Sequence, residues 1–261
     1  MKVEYSVEDE IAIIEISPTP SEKIPLITRT GMEELYEALL RADRDERVQG
    51  VIITTKENFS GGADLRELMS LSRIDDAIKW LETYWKALNL IRTMGKPVLA
   101  AVKGVCVAGG HEIVMVCDFV IAAKSARFGQ PEVRVGSTAI YAVLLLPIVI
   151  GERRARELLL SGRMVSAEEA YRLGLINEVV DDSDLMSRAK QYLKEVIEKA
   201  SPQAFKIMKA GLRFWTDLAM LGMQLGRDVT AMVWLSEEFR ERCSAFLEKR
   251  RPSKRRFIGV R

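Results

Sequence analysis

The sequence predicts an α/β fold with mainly parallel strands in its first two-thirds and a helical last third. Three observations predict it. Val48–Thr54, Val98–Val102 and Phe119–Ala123 are apolar, β-branched-rich runs, the pattern of strands buried on both faces. Segments with helical periodicity lie between them, and strand–helix alternation favours parallel pairing. From Glu152 onward the pattern is nearly all helical, with breaks expected at Gly162, Gly174, Ser201–Pro202 and Gly211.

Taken in order, Val3–Tyr5 and Ile11–Ile16 read as short strands around the charged turn Glu8–Glu10, and Ser17–Pro25 as a Pro-containing loop. Arg29–Arg41 places Met32, Leu35, Tyr36 and Leu39 at helical spacing, so it is an amphipathic helix. Asp43–Arg47 is a charged connector, and Asn58–Asp64 is a Gly-rich loop after the first buried strand. Ile74–Met94 is a long helix that Gly95–Pro97 stops, because proline cannot continue it. After the strand Val98–Val102 comes a loop of small residues, Gly104–Gly110, then a helix over His111–Cys117. The third buried strand leads through Ser125–Phe128 to Gly129-Gln130-Pro131-Glu132. The shift in pattern divides the chain into a core, residues 1–195, and a helical subdomain, residues 196–261.

With 261 residues, 48% of them hydrophobic, the chain is long enough to bury a large core. A net charge of +2 gives no global field toward nucleic acid or membrane. Cys106, Cys117 and Cys243 are too widely spaced for a metal-ligand pair, and their odd number makes no disulfide framework. Met1–Glu10 is charged and lacks an apolar signal core. The apolar run Ala139–Ile150 falls short of the ~20 residues a membrane span needs, and it carries Pro147. The expectation is a reduced, cytoplasmic protein. Its single histidine, His111, would have to serve any Ser-His-Asp triad or His-rich metal site, so no metal is expected.

Two features carry the chemistry, each a strand, a loop of small residues and a helix. Val51–Thr54 leads through Ser60-Gly61-Gly62-Ala63-Asp64 to Leu65, and Val98–Val102 leads through Val107-Ala108-Gly109-Gly110 to Glu112. Small residues let another molecule approach the backbone. A helix N-terminus offers unpaired N–H groups and a partial positive charge. Two such ends facing one point would stabilise an oxygen that gains charge during reaction. A P-loop would need Gly-Lys-Ser/Thr and a dinucleotide site G-x-G-x-x-G after a strand, and neither occurs.

These residues resemble the crotonase (enoyl-CoA hydratase/isomerase) superfamily. Phe59-Ser60-Gly61-Gly62-Ala63-Asp64-Leu65-Arg66-Glu67-Leu68 is similar to its first signature loop. Lys96–Gly104, Ala108-Gly109-Gly110-His111-Glu112 and Cys117-Asp118 are similar to the second. Phe128–Glu132, Ala155–Gly162, Ala167–Ala170, Gly174-Leu175-Ile176 and Ala245–Arg250 follow in order, so the resemblance spans about residues 48–251. It implies a crotonase-like ββα spiral core with a C-terminal helical trimerisation subdomain, assembled as a homotrimer or hexamer. It also implies an acyl-CoA substrate, with coenzyme A as part of that substrate and no further cofactor.

Residue by residue, the resemblance puts the oxyanion donors at the backbone N–H groups of Ala63 and Gly109, shaped by Gly61, Gly62 and Gly110. Its two catalytic glutamates fall on Glu112, as base toward water, and Glu132, as proton donor to the α-carbon. Asp64 and Leu65 would flank the substrate, and Ile140 and Tyr141 would line the acyl pocket. Phe246 and Lys249 would help hold CoA from a neighbouring subunit, and the basic run Lys249–Arg256 would meet its phosphates or lie solvated. Three departures stand out: His111 beside Glu112, no glycine run after Gly136, and Ser17-Pro18-Thr19-Pro20-Ser21 in place of the usual Asn-Arg-Pro segment. The implied activity is hydration of a 2-enoyl-CoA. Isomerisation, hydrolysis or dehydration on the same scaffold, and silent acyl-CoA binding, are the alternatives.

Overall fold

The computed structural model describes residues 1–253, so positions 254–256 of the basic run lie outside the described residues. The chain opens with the hairpin β1 (Lys2–Glu8) and β2 (Ile11–Ser17), whose turn holds Asp9 and Glu10 at positive φ. Then follow α1 (Arg29–Arg44), β3 (Gly50–Thr54), α2 (Leu65–Ser70) and α3 (Ile74–Thr93). Next come β4 (Val98–Val102), β5 (Val105–Val107), α4 (Gly109–Met115), β6 (Phe119–Ala123) and β7 (Arg127–Gly129). A 3-10 turn (Pro131–Val135) leads to α5 (Ile140–Ile150), α6 (Glu152–Ser161), β8 (Met164–Ser166), α7 (Ala167–Leu173) and β9 (Glu178–Val180). The helices α8 (Leu185–Lys199), α9 (Pro202–Met220), α10 (Met223–Trp234) and α11 (Glu237–Leu247) complete the described chain.

Among the described residues the main sheet has the order β1-β2-β3-β4-β6-β9, parallel throughout except for the β1–β2 hairpin at one edge. Alternate side chains of a strand point to opposite faces, and the sheet is buried on both. Ile14, Ile53, Ala100 and Ala122 face the large core shared with α1 and α3. Ile13, Ile52, Leu99 and Ile121 face Leu185, Ala189 and Leu193 of α8. This two-sided burial is why the central strands read as unbroken apolar runs. β4 and β6 span the residues the sequence predicts.

A second sheet, β5-β7-β8, stands beside the first and carries the loops that matter for function. The sequence reading missed it: three-residue strands are too short to show a period of two. β8 and β9 likewise correct the expectation of an all-helical chain after Glu152. Gly162 and Gly174 do end helices, with φ of +63° and +80°, as left-handed caps. Gly211 does not, because α9 runs straight through it. An interior glycine costs only about 1 kcal/mol, which packing along a long helix outweighs.

Candidate active site

Two loops meet at the C-terminal ends of β3 and β4. Ser60 bridges Cys106 of β5, with Ser60 N–H donating to the Val105 carbonyl at 2.9 Å and Val107 N–H to the Ser60 carbonyl at 3.0 Å. A Cβ on Gly110 would stand 2.3 Å from that of Ser60, and one on Gly62, whose φ is +87°, would stand 2.7 Å from that of Ala108. Only glycine lets the loops approach this closely. Ala108 itself sits at φ +52°, a conformation that costs a residue with a side chain about 1–3 kcal/mol. The strain falls at the residue that immediately precedes α4.

The backbone accounting leaves two donors unspent. Ala63 pairs with Ile27 as a parallel bridge, in which Ile27 N–H donates to Gly62 and Asp64 N–H donates to Ile27, both at 2.8 Å. That pattern uses the neighbours of Ala63 and turns its own N–H away from Ile27. Gly109 is the first residue of α4, where an N–H has no partner within the helix. Among the described residues neither N–H meets an acceptor.

Both residues line a cavity of about 470 Å³, within the range of small-molecule sites. Gly61, Asp64, Leu65, Glu112, Glu132, Ile140 and Phe246 share its wall. Gly62 and Gly110 lie behind the wall, where they set loop shape. Asp64 also caps α2, accepting from Arg66 N–H at 2.9 Å. Tyr141 does not reach the cavity; it is buried with its ring edge-on to Tyr84 and Trp85. Lys249 is exposed and off the wall, whereas Phe246 reaches the cavity of its own chain. Arg240 holds α11 there, donating to the Met69 and Leu71 carbonyls at 2.8 and 2.9 Å. The atypical N-terminal loop still contributes Leu26 and Ile27 to the wall, and Gly61 N–H donates to the Pro25 carbonyl at 2.9 Å.

The two carboxyls are held differently. Glu112 is buried on α4; one oxygen accepts from Ala142 N–H at 3.0 Å and the other faces the Tyr84 hydroxyl at 2.9 Å. Burial raises its pKa, and the bonds from Ala142, Tyr84 and Tyr141 oppose the rise. Glu132, half-buried on the 3-10 turn, is driven well above the usual carboxylate range by desolvation and then by the charge of Glu112. The Gln130 amide lies between Glu132 and His111, and the orientation that satisfies every atom points its NH2 at the Glu132 oxygens, 2.8 and 3.1 Å away. His111 is buried and shifted down to about 4 by desolvation, so it is neutral at neutral pH. His111 is off the cavity wall.

Trp80 and Tyr84, which the sequence reading passed over, also line the cavity, together with Ser137 and Trp234. Trp80 and Tyr84 stack at 5.8 Å, Trp80 meets Trp234 edge-on at 5.2 Å, and Trp234 Nε1–H donates to Ser137 Oγ at 2.9 Å. The helical spacing of Trp80 and Tyr84 reads as ordinary core, and no local signal separates a cavity wall from a core face. Tyr84 is pushed well above the usual phenol range by burial and by the charge of Glu112, so it keeps its proton. Among the described residues no group of three or more His, Cys, Asp or Glu is arranged for a metal ion, and no helix is long and apolar enough to cross a membrane.

The sequence and the fold have known relatives. The family model for enoyl-CoA hydratase/isomerase matches residues 8–255. A crotonyl-CoA hydratase of Syntrophomonas wolfei is 32% identical over 249 residues, covering 94% of each chain. A short-chain-enoyl-CoA hydratase of Clostridium acetobutylicum is 31% identical, again over 94% of each. The solved enoyl-CoA hydratase/isomerase of Pseudoalteromonas atlantica superposes with a TM-score of 0.81 at 26% identity, covering 98% of this chain and all of that one. The chain belongs to the enoyl-CoA hydratase/isomerase family, and its α/β architecture with a helical C-terminal region is that of the crotonase fold.

Proposed function

We propose that the protein is an enoyl-CoA hydratase that adds water across the double bond of a short or medium 2-enoyl-CoA. The observation that carries this reading is the pairing of two unspent N–H groups, on Ala63 and Gly109, with two carboxyls, Glu112 and Glu132, on one cavity. The thioester carbonyl oxygen accepts from both N–H groups, which strengthen as negative charge moves onto it; one such donor contributes about 3 kcal/mol to the barrier reduction. Water gives a proton to Glu112 as its oxygen bonds the β-carbon. The α-carbon takes a proton from Glu132. Exchange of one proton from Glu112 back to Glu132 then resets the pair.

The environments support that division of labour. Glu112 has donors that favour its charged form, as a base needs, while Glu132 is desolvated and faces a neighbouring charge, as an acid needs. Both carboxyls border one cavity, which supports delivery to one face of the substrate and hence syn addition. Isomerisation needs only one carboxyl and leaves the second burial unexplained. The names of the S. wolfei and C. acetobutylicum relatives support a crotonyl-sized acyl group.

The proposal extends to assembly. Met208, Leu212 and Trp215 on α9, Leu221 just after it and Leu225 on α10 are each between 66% and 80% exposed. Large apolar side chains left this exposed favour an interface, here with further copies of the chain in a trimer or hexamer. Sedimentation of a monomer would remove this part of the reading.

The deciding assay follows loss of enoyl-thioester absorbance with crotonyl-CoA. Wild type should turn over, and Glu112→Gln and Glu132→Gln should each fall by about 10²–10⁴-fold. An inert wild type across a panel of enoyl-CoA lengths overturns the hydratase reading; full activity in one Gln variant overturns that residue's role.

A further inference from the structure

Tyr84 lies on α3, buried, its ring stacked on Trp80 and edge-on to Tyr141. Its single hydroxyl faces two oxygens, the Gly109 carbonyl at 2.8 Å and Glu112 Oε2 at 2.9 Å. One proton cannot serve both, and the carbonyl has none to give. The conflict resolves in two ways, according to the state of Glu112. With Glu112 ionised, Tyr84 donates to Oε2. With Glu112 protonated on Oε2, the carboxyl donates to the Tyr84 oxygen and Tyr84 donates to Gly109. The other carboxyl oxygen, Oε1, is already claimed by Ala142 N–H at 3.0 Å, which leaves Oε2 as the oxygen for the proton. Both arrangements keep every buried proton on an acceptor, and they differ by one proton on Oε2 and the rotation of one O–H bond.

We infer that Tyr84 is a positioning residue whose hydroxyl turns from Glu112 to the Gly109 carbonyl as Glu112 takes up a proton. The inference rests on the reading of Glu112 as the base. No covalent bond of Tyr84 is made or broken: the proton leaves water, lands on Oε2, and the Tyr84 O–H redirects. A buried carboxyl with no such partner would lose a hydrogen bond in one of its two states, and leaving a buried polar group unpaired is unfavourable. The redirected bond ends on Gly109, the residue whose N–H is the proposed oxyanion donor, so the base and the oxyanion site share one hydroxyl.

The other ionisable groups around this pair are Glu132 from the 3-10 turn, Tyr141 from α5, Arg92 further along α3 toward Tyr141, and neutral His111 on α4. Tyr84→Phe changes none of them and keeps the ring in its stack. In the hydratase assay we expect kcat to fall roughly 10–100-fold with KM within about twofold. We also expect the acid limb of kcat/KM against pH to move up by about one pH unit, because the variant loses a charge-assisted bond from the ionised carboxyl and only a weaker neutral one from the protonated carboxyl. A residue that merely fills space would lower activity and leave that limb in place, and a superimposable profile overturns the inference. A second measurement needs no turnover. Infrared titration of the ligand-free protein resolves the protonated-carboxyl band, assigned to Glu112 by its loss in Glu112→Gln. Its midpoint should rise in Tyr84→Phe, and an unmoved midpoint sinks the inference even if the enzyme hydrates crotonyl-CoA. A moved midpoint in a protein inert toward every enoyl-CoA supports the Tyr84–Glu112 partnership and counts against the hydratase reading alone.

Discussion

His111 and Glu132 are joined by one side chain: the Gln130 amide meets His111 Nδ1 at 3.2 Å and reaches Glu132 Oε1 at 2.8 Å. The histidine that looked like a departure in the sequence therefore acts at one remove. With its carbonyl committed to His111, Gln130 can point only its NH2 at Glu132. We expect His111→Leu to release the amide and lower kcat about tenfold with little change in KM, a loss typical of a partner that orients a reacting group. Steady-state kinetics with crotonyl-CoA check it.

The same histidine gives a pH signature. Its folded pKa of about 4 lies below the unfolded value of about 6.5, so between those limits the unfolded chain binds more protons. Its neutral burial is fully favourable above pH 6.5 and is lost as pH falls toward 4, by about 3 kcal/mol in all. Glu112 and Glu132 act in the opposite sense, since their raised values make folding more favourable as pH falls. Urea midpoints of wild type and His111→Leu, compared at pH 7.5 and pH 4.5, isolate the histidine. Their difference should shift by about 2–3 kcal/mol in the variant's favour at the lower pH.

Glu132→Gln should separate stability from activity. The folded-state pKa of Glu132 is raised, so the charged form opposes folding at neutral pH, and that opposition vanishes below the unfolded value near 4.5. A neutral amide of the same shape should raise Tm by a few degrees at pH 7.5 while turnover falls by about 10²–10⁴-fold. The gain should disappear at pH 4. A Tm lowered at pH 7.5 would mean that the charged carboxyl is stabilised by contacts stronger than its desolvation.

Much of this site was legible because its parts sit in local patterns. The strands before each loop are apolar runs with clean ends, and Gly61, Gly62, Gly109 and Gly110 mark the two loops. Glu112 and Glu132 were found through the motifs around them. What stayed hidden is set by distance in sequence. Tyr84 follows Trp80 by four residues on a helical face, which spells core packing, and nothing near it announces an oxygen of Gly109, 25 residues away. The His111–Gln130 contact spans 19 residues. β5 and β7 register only when paired with each other. Tyr141 was misplaced because one turn of an apolar helix contains both a wall residue, Ile140, and a core residue.

The glycines can be tested against each other. Gly62 and Gly174 have similar φ, +87° and +80°, but a Cβ on Gly62 would press on Ala108 at 2.7 Å, whereas nothing lies within 4 Å of one on Gly174. Gly174→Ala therefore measures backbone strain alone, about 1–2 kcal/mol, with turnover intact. Gly62→Ala adds a clash between the loops that carry Ala63 and Gly109. It should destabilise further and lower kcat by about 10²–10³-fold, as loss of an oxyanion donor does. Equal kinetics in the two variants would mean that the loop separation is not what aligns the donors.

Lys209 ties the C-terminal helices to this core. It reaches from α9 to Asp118 at 2.6 Å and to the Lys96 carbonyl at 3.2 Å, while Asp118 also accepts from Val98 N–H at 2.8 Å. The lysine is 9% exposed, so the pair is largely desolvated. Asp118 is already raised by burial, and Lys209 is the main influence holding it down. Lys209→Met keeps the apolar stem and removes that influence. It should cost about 3 kcal/mol at pH 7 in urea unfolding, because a buried carboxylate loses its counter-charge. The sign with pH is fixed: Asp118 in the variant has a still higher folded value, so the loss is full at neutral pH and shrinks as pH falls toward the unfolded value near 3.8. Asp118→Asn in the Lys209→Met background should recover part of the stability, since the uncompensated charge is gone. The clamp also fixes the helix that carries the exposed Met208, Leu212 and Trp215, so if the proposed assembly through these residues holds, Lys209→Met should weaken it in sedimentation runs. A variant as stable as wild type at pH 7 would show that Val98 N–H alone suffices to hold the Asp118 charge.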